Sequence, residues 1–194
     1  MTELRVFTTT ILGSVPAAFY WALGLLFLVG VGGIYLNRLR GSSGSKGSRV
    51  NPDKNACRYW GRSVARLLLV EWIILVLGIA VIFREPRAER SFCLIPFLSY
   101  FDYGTNSYFM EKAALNILNV VLFLPVGFLS GVILKGWPWW KVMIPCLGIS
   151  LTIELLQLIL MRGFCETDDV IHNVLGALIG YGVGRVIKKL TIDN

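Results

Sequence analysis

"SLTIELLQLILMRG", residues 150–163, sets a carboxylate, Glu154, and a carboxamide, Gln157, inside a run of leucines and isoleucines. A water-soluble core rarely accepts such groups without partners, and the hydrocarbon of a bilayer accepts them less readily still. Whether this stretch lies in a soluble core or in a membrane decides the fold, and the rest of the chain answers.

Of the 194 residues, 55% are hydrophobic and only 16% are charged, against about 25% charged in an ordinary soluble domain. Mean hydropathy is +0.65. The apolar residues are gathered into runs close to the ~20 residues that a helix needs to cross the hydrocarbon. Five stretches qualify: 15–36 without a charge, 67–83 with Glu71 alone, 113–134 without a charge, 142–161 with Glu154 alone, and 170–187. Arg185 sits near the end of the last, where its side chain can snorkel to the interface. The first run is too long for the core of a signal peptide and reads as a retained helix. The expected fold is all-α: an integral membrane bundle of five transmembrane helices.

Lysine and arginine orient the bundle. Segment 37–66 carries eight basic residues against one acid, Asp53, which places it in the cytoplasm. Alternation then puts thirteen of the nineteen basic residues inside. It leaves Glu3, Glu85, Glu89, Asp102, Glu111, Glu166, Asp168 and Asp169 outside. The N-terminus is expected outside and the C-terminus inside. The net charge of +7 is mostly this topological signal; no nucleic-acid motif accompanies it. "GSSGSKGS" (41–48) has the composition of a flexible linker. "WPWWK" (137–141) reads as an aromatic anchor at the inner interface. The aromatic segment 91–109 is expected to lie in the outer interface as short amphipathic turns.

The opening question now has an answer. The third helix starts outside, with Asn116 and Asn119 near its outer end. The fourth runs outward through Ser150, Glu154 and Gln157 to Arg162. The fifth starts outside with Asp168, Asp169, His172 and Asn173. Three helices bring polar residues to one depth. Their spacings, i,i+3 in the third, i,i+4,i+7 in the fourth and i,i+4 for Asp169 and Asn173, each define one helical face. Glu154 is expected to face Asn119 and Asn173, with Arg162 and Asp169 capping the site at the outer surface. The cluster has two readings, a polar clasp that fixes helix packing and a ligand site open to the outer leaflet. Gly176, Gly180 and Gly184 form a small-residue face for close helix contact, and Pro125 removes a backbone donor and should kink the third helix.

Glu154 with Asp168, Asp169 and His172 has the side chains of general acid–base chemistry. No HExxH, nucleophile elbow or spaced Cys/His pattern supports an enzyme or a metal centre, and no metal or cofactor is expected. Cys57 is expected inside and Cys146 within the fourth helix. Cys93 and Cys165 are expected outside, where a disulfide is geometrically allowed, although spacing alone does not show proximity.

"CLIPF" (93–97), "NILNVVLFLPVGFL" (116–129), "SLTIELLQ" (150–157) with Arg162 after it, and "TDDVIHNVLGALIGYGVGR" (167–185) resemble, in order and spacing, the successive blocks of the VanZ-like family of bacterial membrane proteins. The resemblance covers roughly residues 93–185. It implies that Asn119, Glu154, Gln157, Arg162, Asp169 and Asn173 are the family's characteristic polar positions. It also implies a role in the envelope, the namesake being associated with low-level resistance to the glycopeptide teicoplanin. No catalytic residue or cofactor carries over.

The chain divides accordingly into an N-terminal segment with the first helix (1–36), a basic cytoplasmic linker (37–63), the second helix with the start of an external loop (64–90), a VanZ-like region of three helices (91–187) and a cytoplasmic tail (188–194). The expected function is binding of a lipid-linked envelope component, a glycopeptide or a partner at the outward polar cluster of a multi-pass protein of the bacterial cytoplasmic membrane. The alternative is a membrane-embedded enzyme using Glu154 and Asp169 on a lipid.

Overall fold

A computed structural model describes residues 16–42, 52–98, 106–134 and 136–192. In chain order it contains α1 (Ala17–Ser42), α2 (Pro52–Leu77), β1 (Phe92–Cys93), α3 (Asn106–Ile133), α4 (Trp139–Leu160), β2 (Cys165–Glu166) and α5 (Thr167–Ile192). Residues 1–15, residues 43–51 of the expected linker, and 99–105 of the aromatic segment lie outside the described residues, as does the side chain of Cys57; the rest of the expected linker, 37–42 and 52–63, is helical, in α1 and α2.

Trp60–Ile82, Lys112–Ile133, Trp139–Leu160 and Thr167–Leu190 are each long and apolar enough to cross a membrane. The protein is therefore a multi-pass membrane protein. Four such spans stand among the described residues; the expected first span is represented there by the shorter apolar helix Ala17–Leu28. α2 begins at Pro52, well before the apolar run. Proline suits the first turn of a helix, whose N–H groups have no intrahelical partner.

Where α2 ends, the backbone widens into a π-helical turn, Gly78–Ile82, closed by the Phe83 N–H donating to Gly78 O at 3.0 Å. The rings of Phe19 and Phe83 meet edge-on there, 4.9 Å apart, so α1 packs on this turn.

The centre of the bundle is the crossing of α3 and α5, the most extensive helix contact in the protein. Glycines make it possible. A methyl group on Gly176, Gly180 or Gly184 would run into the carbonyl of Val120, Leu124 or Phe128, and one on Gly127 into the carbonyl of Ala177. The two helices therefore touch backbone to backbone, which only residues lacking Cβ permit. Phe123, Val76, Cys146, Ile153 and Ala177 fill the core around this crossing. α3 runs unbroken through Pro125. One turn earlier the Leu122 carbonyl accepts the indole N–H of Trp72 at 2.8 Å, tying α2 to α3 beside the proline. At the other end of the bundle the Tyr181 hydroxyl donates to Trp137 O at 2.7 Å and the Lys188 ammonium to Val132 O at 2.6 Å.

The fold departs from all-α at one point. β1 and β2 pair in parallel, Phe92 opposite Cys165 and Cys93 opposite Glu166. The loops that carry them come together at the end of the bundle, where backbone groups gain by bonding to one another. Residues 92–93 are thus paired backbone rather than the amphipathic turn expected there. The register also corrects the proposed disulfide. Cys93 and Cys165 are offset by one position and point to opposite faces of the pair; both thiols are free.

Candidate functional site

Four helices and the strand pair converge at one end of the bundle, and local hydrogen bonds explain how. α4 stops at Met161, whose left-handed backbone (φ 53°) closes the helix; the Arg162 N–H then reaches back to Gln157 O at 2.9 Å. Gly163 follows at φ 127°, a value that favours glycine. The reversal sends the chain back over the helix end. Segment 84–98 is laced to this return: Arg87 N–H to Met161 O at 2.7 Å, Cys165 N–H to Ser91 O at 3.1 Å, and the Thr167 hydroxyl to Leu94 O at 3.1 Å.

Beneath that lacing lies a cavity of about 30 Å³, walled by α2, α3, α4 and α5. Its polar lining is Arg84, Asn119, Glu154, Gln157, Asp169 and Asn173. A volume of this size holds about two waters. Glu154 is buried, and its Oε2 accepts the backbone N–H of Glu166 at 2.9 Å. Asn173 donates from Nδ2 to the Ser150 hydroxyl at 2.9 Å, deep between α4 and α5. Gln157 is 2% exposed; its Nε2 donates to Ala80 O at 2.9 Å, while its Oε1 accepts no hydrogen bond among the described residues.

Above this cavity opens a vestibule of about 350 Å³, within the range of small-molecule sites. Arg84, Leu115 and Asp169 line both spaces, so the two adjoin. The vestibule adds Arg87, Lys112, Glu85, Glu166 and Phe164. Lys112 is ion-paired with Glu166. Arg87 and Lys112 both lie over the Phe164 ring, 5.6 and 5.7 Å from its centre, a cation–π arrangement.

Cys165, in the turn between α4 and α5, reports this field. Its thiol is pushed above the usual cysteine range by burial, then by the charges of Glu154, Asp169 and Glu166.

Not every residue of the expected cluster lines these spaces. Arg162 does not turn toward Glu154; its guanidinium donates to the Ile82 carbonyl. It and Gln157 thus satisfy carbonyls at the end of α2, where a helix leaves its last C=O groups without intrahelical donors. Arg84 instead is the cation that acts on both Glu154 and Asp169. Sequence reasoning left Arg84 as one more loop arginine; its place directly after the apolar run, at the end where the polar residues gather, was the signal. Asp168 faces the lacing rather than the cavity: its Oδ1 accepts the Phe97 N–H at 2.7 Å. His172 Nδ1 lies 2.6 Å from Asp168 O on its own helix. Asn116 is buried in α3 but lines neither space. Among the described residues no group of three or more His, Cys, Asp or Glu side chains is arranged to hold a metal ion.

A family model described as VanZ/LLP1 matches residues 67–188, from within α2 almost to the end of α5. No curated protein and no solved structure matches.

Proposed function

The chain belongs to the VanZ/LLP1 family, and we propose that it binds the polar head of a membrane-resident amphiphile, a lipid-linked envelope component, in the vestibule. The observation that carries this reading is the vestibule itself: about 350 Å³, lined by Arg84, Arg87, Lys112, Glu85, Glu166 and Asp169, at the end of membrane-spanning helices. A head group enters such a site while its chains stay in the bilayer. The basic residues of segment 37–66 support a cytoplasmic linker. Alternation then sets the vestibule on the outer side of a bacterial cytoplasmic membrane, where wall precursors are used and glycopeptides bind them. Retention of such a precursor would link the protein to teicoplanin sensitivity.

Binding is favoured over chemistry by the size of the inner cavity. At about 30 Å³ it admits water or one small group, not the scissile centre of a lipid. Native mass spectrometry of the protein extracted in mild detergent tests the reading. A phosphate-bearing lipid should leave with the intact protein and be lost from Arg87→Ala; equal retention by both would overturn it. Impermeant thiol labelling of intact cells, with Cys93 reactive from outside, tests the orientation.

A further inference from the structure

The inner cavity carries an imbalance of charge that the vestibule does not. Lys112 answers Glu166 in the vestibule. Of the cations, Arg84 alone lines the inner cavity with Glu154 and Asp169; Asp169 also feels Lys112 and His172, whereas Glu154 has Arg84 alone, so Glu154 is the carboxylate least provided with positive charge. Buried charge without a partner is costly. Acceptor capacity is also left open there. Glu154 takes one backbone N–H, Gln157 offers an Oε1 that accepts nothing among the described residues although the side chain is 2% exposed, and Asp169 adds a second carboxylate. One monovalent group with several N–H donors and the size of a water molecule would meet all three needs.

We infer that the inner cavity is a binding site for a primary ammonium group. The ligand is then an aminoalkyl phosphate head: its ammonium lies among Glu154, Asp169 and Gln157, and its phosphate lies in the vestibule against Arg84 and Arg87. This deepens the reading of the vestibule as a head-group site and rests on it. Arg84 and Asp169 line both spaces, so the two groups of the ligand lie side by side and a short spacer is enough to join them. A trimethylated ammonium is excluded by volume, since a cavity of about 30 Å³ has room for about two water-sized bodies. Three N–H donors are what a carboxylate, a second carboxylate and an amide oxygen can accept.

The test is a head-group series on the intact protein in nonionic detergent, read by its tryptophan fluorescence. Short-chain phosphatidylethanolamine should bind about tenfold or more tightly than short-chain phosphatidylcholine and phosphatidic acid, the worth of one charge-assisted contact. Glu154→Gln should reduce that preference to within about threefold. Where Glu154→Gln fails to accumulate, the series on the unaltered protein still decides. Phosphoethanolamine without chains identifies the source. Weak binding of it points to a lipid head, and binding as tight as that of the lipid points to a soluble aminoalkyl phosphate, each upholding the ammonium site. Equal affinity for ethanolamine, choline and unsubstituted phosphate heads overturns the ammonium site and leaves the vestibule reading standing. Failure of every lipid to bind overturns both.

Discussion

The backbone N–H of Glu166 donates to Oε2 of Glu154 at 2.9 Å. This one bond joins a carboxylate inside a membrane-length helix to the strand pair that closes the end of the bundle. The Glu154 side chain thus both holds that closure and lines the cavity beneath it.

The charge of Glu154 and Asp169 is readable through Cys165, whose thiol stands above the usual range chiefly through burial and then through these carboxylates. A raised thiol pKa means less thiolate at neutral pH. Alkylation of Cys165 should therefore keep accelerating above pH ~8.5, the ordinary cysteine value. Asp169→Asn removes a negative charge, so the pKa should fall and the rate at pH 8 should rise. A rate profile indifferent to Asp169→Asn would show that this carboxylate carries no charge in the folded protein.

Gly180→Ala should lower stability by about 1–3 kcal/mol, the usual penalty of overpacking. The added methyl meets the Leu124 carbonyl, backbone that cannot turn aside as a side chain can. Gly182→Ala, which meets nothing within 4 Å, should be neutral or mildly stabilising through helix propensity. Thermal unfolding in detergent separates the two. Equal melting temperatures would contradict the backbone contact.

Gln157→Leu should cost about 1–3 kcal/mol by leaving the Ala80 carbonyl without its donor. The loss should concentrate at the π-helical turn. Hydrogen exchange of residues 78–83 should quicken more than that of α5.

Asp168 holds Phe97 in a left-handed conformation (φ 61°) through the Phe97 N–H. Non-glycine residues there carry a strain of order 1 kcal/mol or more. Asp168→Ala should loosen residues 94–98, seen as faster proteolysis. Adding Phe97→Gly should recover part of the loss, since glycine needs no help at that φ. Proteolysis unchanged by Asp168→Ala would show that the bond does not hold the segment.

Much of this was readable in the chain before any coordinates. Apolar runs with at most one charged residue each marked α2, α3, α4 and α5 as membrane-length helices, because periodicity and length are local properties. Depth placed Asn119, Glu154, Gln157, Asp169 and Asn173 together, and these five share one cavity. What escaped depends on loops meeting loops. The pairing of β1 with β2 rests on two residues each, too few to leave a pattern. The roles of Arg84 and Arg162 turn on which way each guanidinium points. Both arginines lie at the same end of the bundle, and only the Ile82 carbonyl, freed at the end of α2, drew Arg162 away. Asp168 and Asp169 are neighbours in sequence with opposite tasks, because adjacent residues on a helix project about 100° apart.

The crossing of α3 and α5 also sets a timetable. α3's principal partner, α5, is made only after α4, and α3 touches α4 only slightly. At ~5–20 residues per second, roughly 3–12 seconds of translation separate the end of α3 from the end of α5. During that interval the glycine-lined groove and Asn119 have no mate, and the site cannot exist in any partial form. Nascent chains must be sheltered until α5 enters, so a stop codon just before Thr167 should yield a product cleared by membrane proteases, a fate that pulse-chase labelling would expose. The arrival of α5 thereby decides whether the site forms at all.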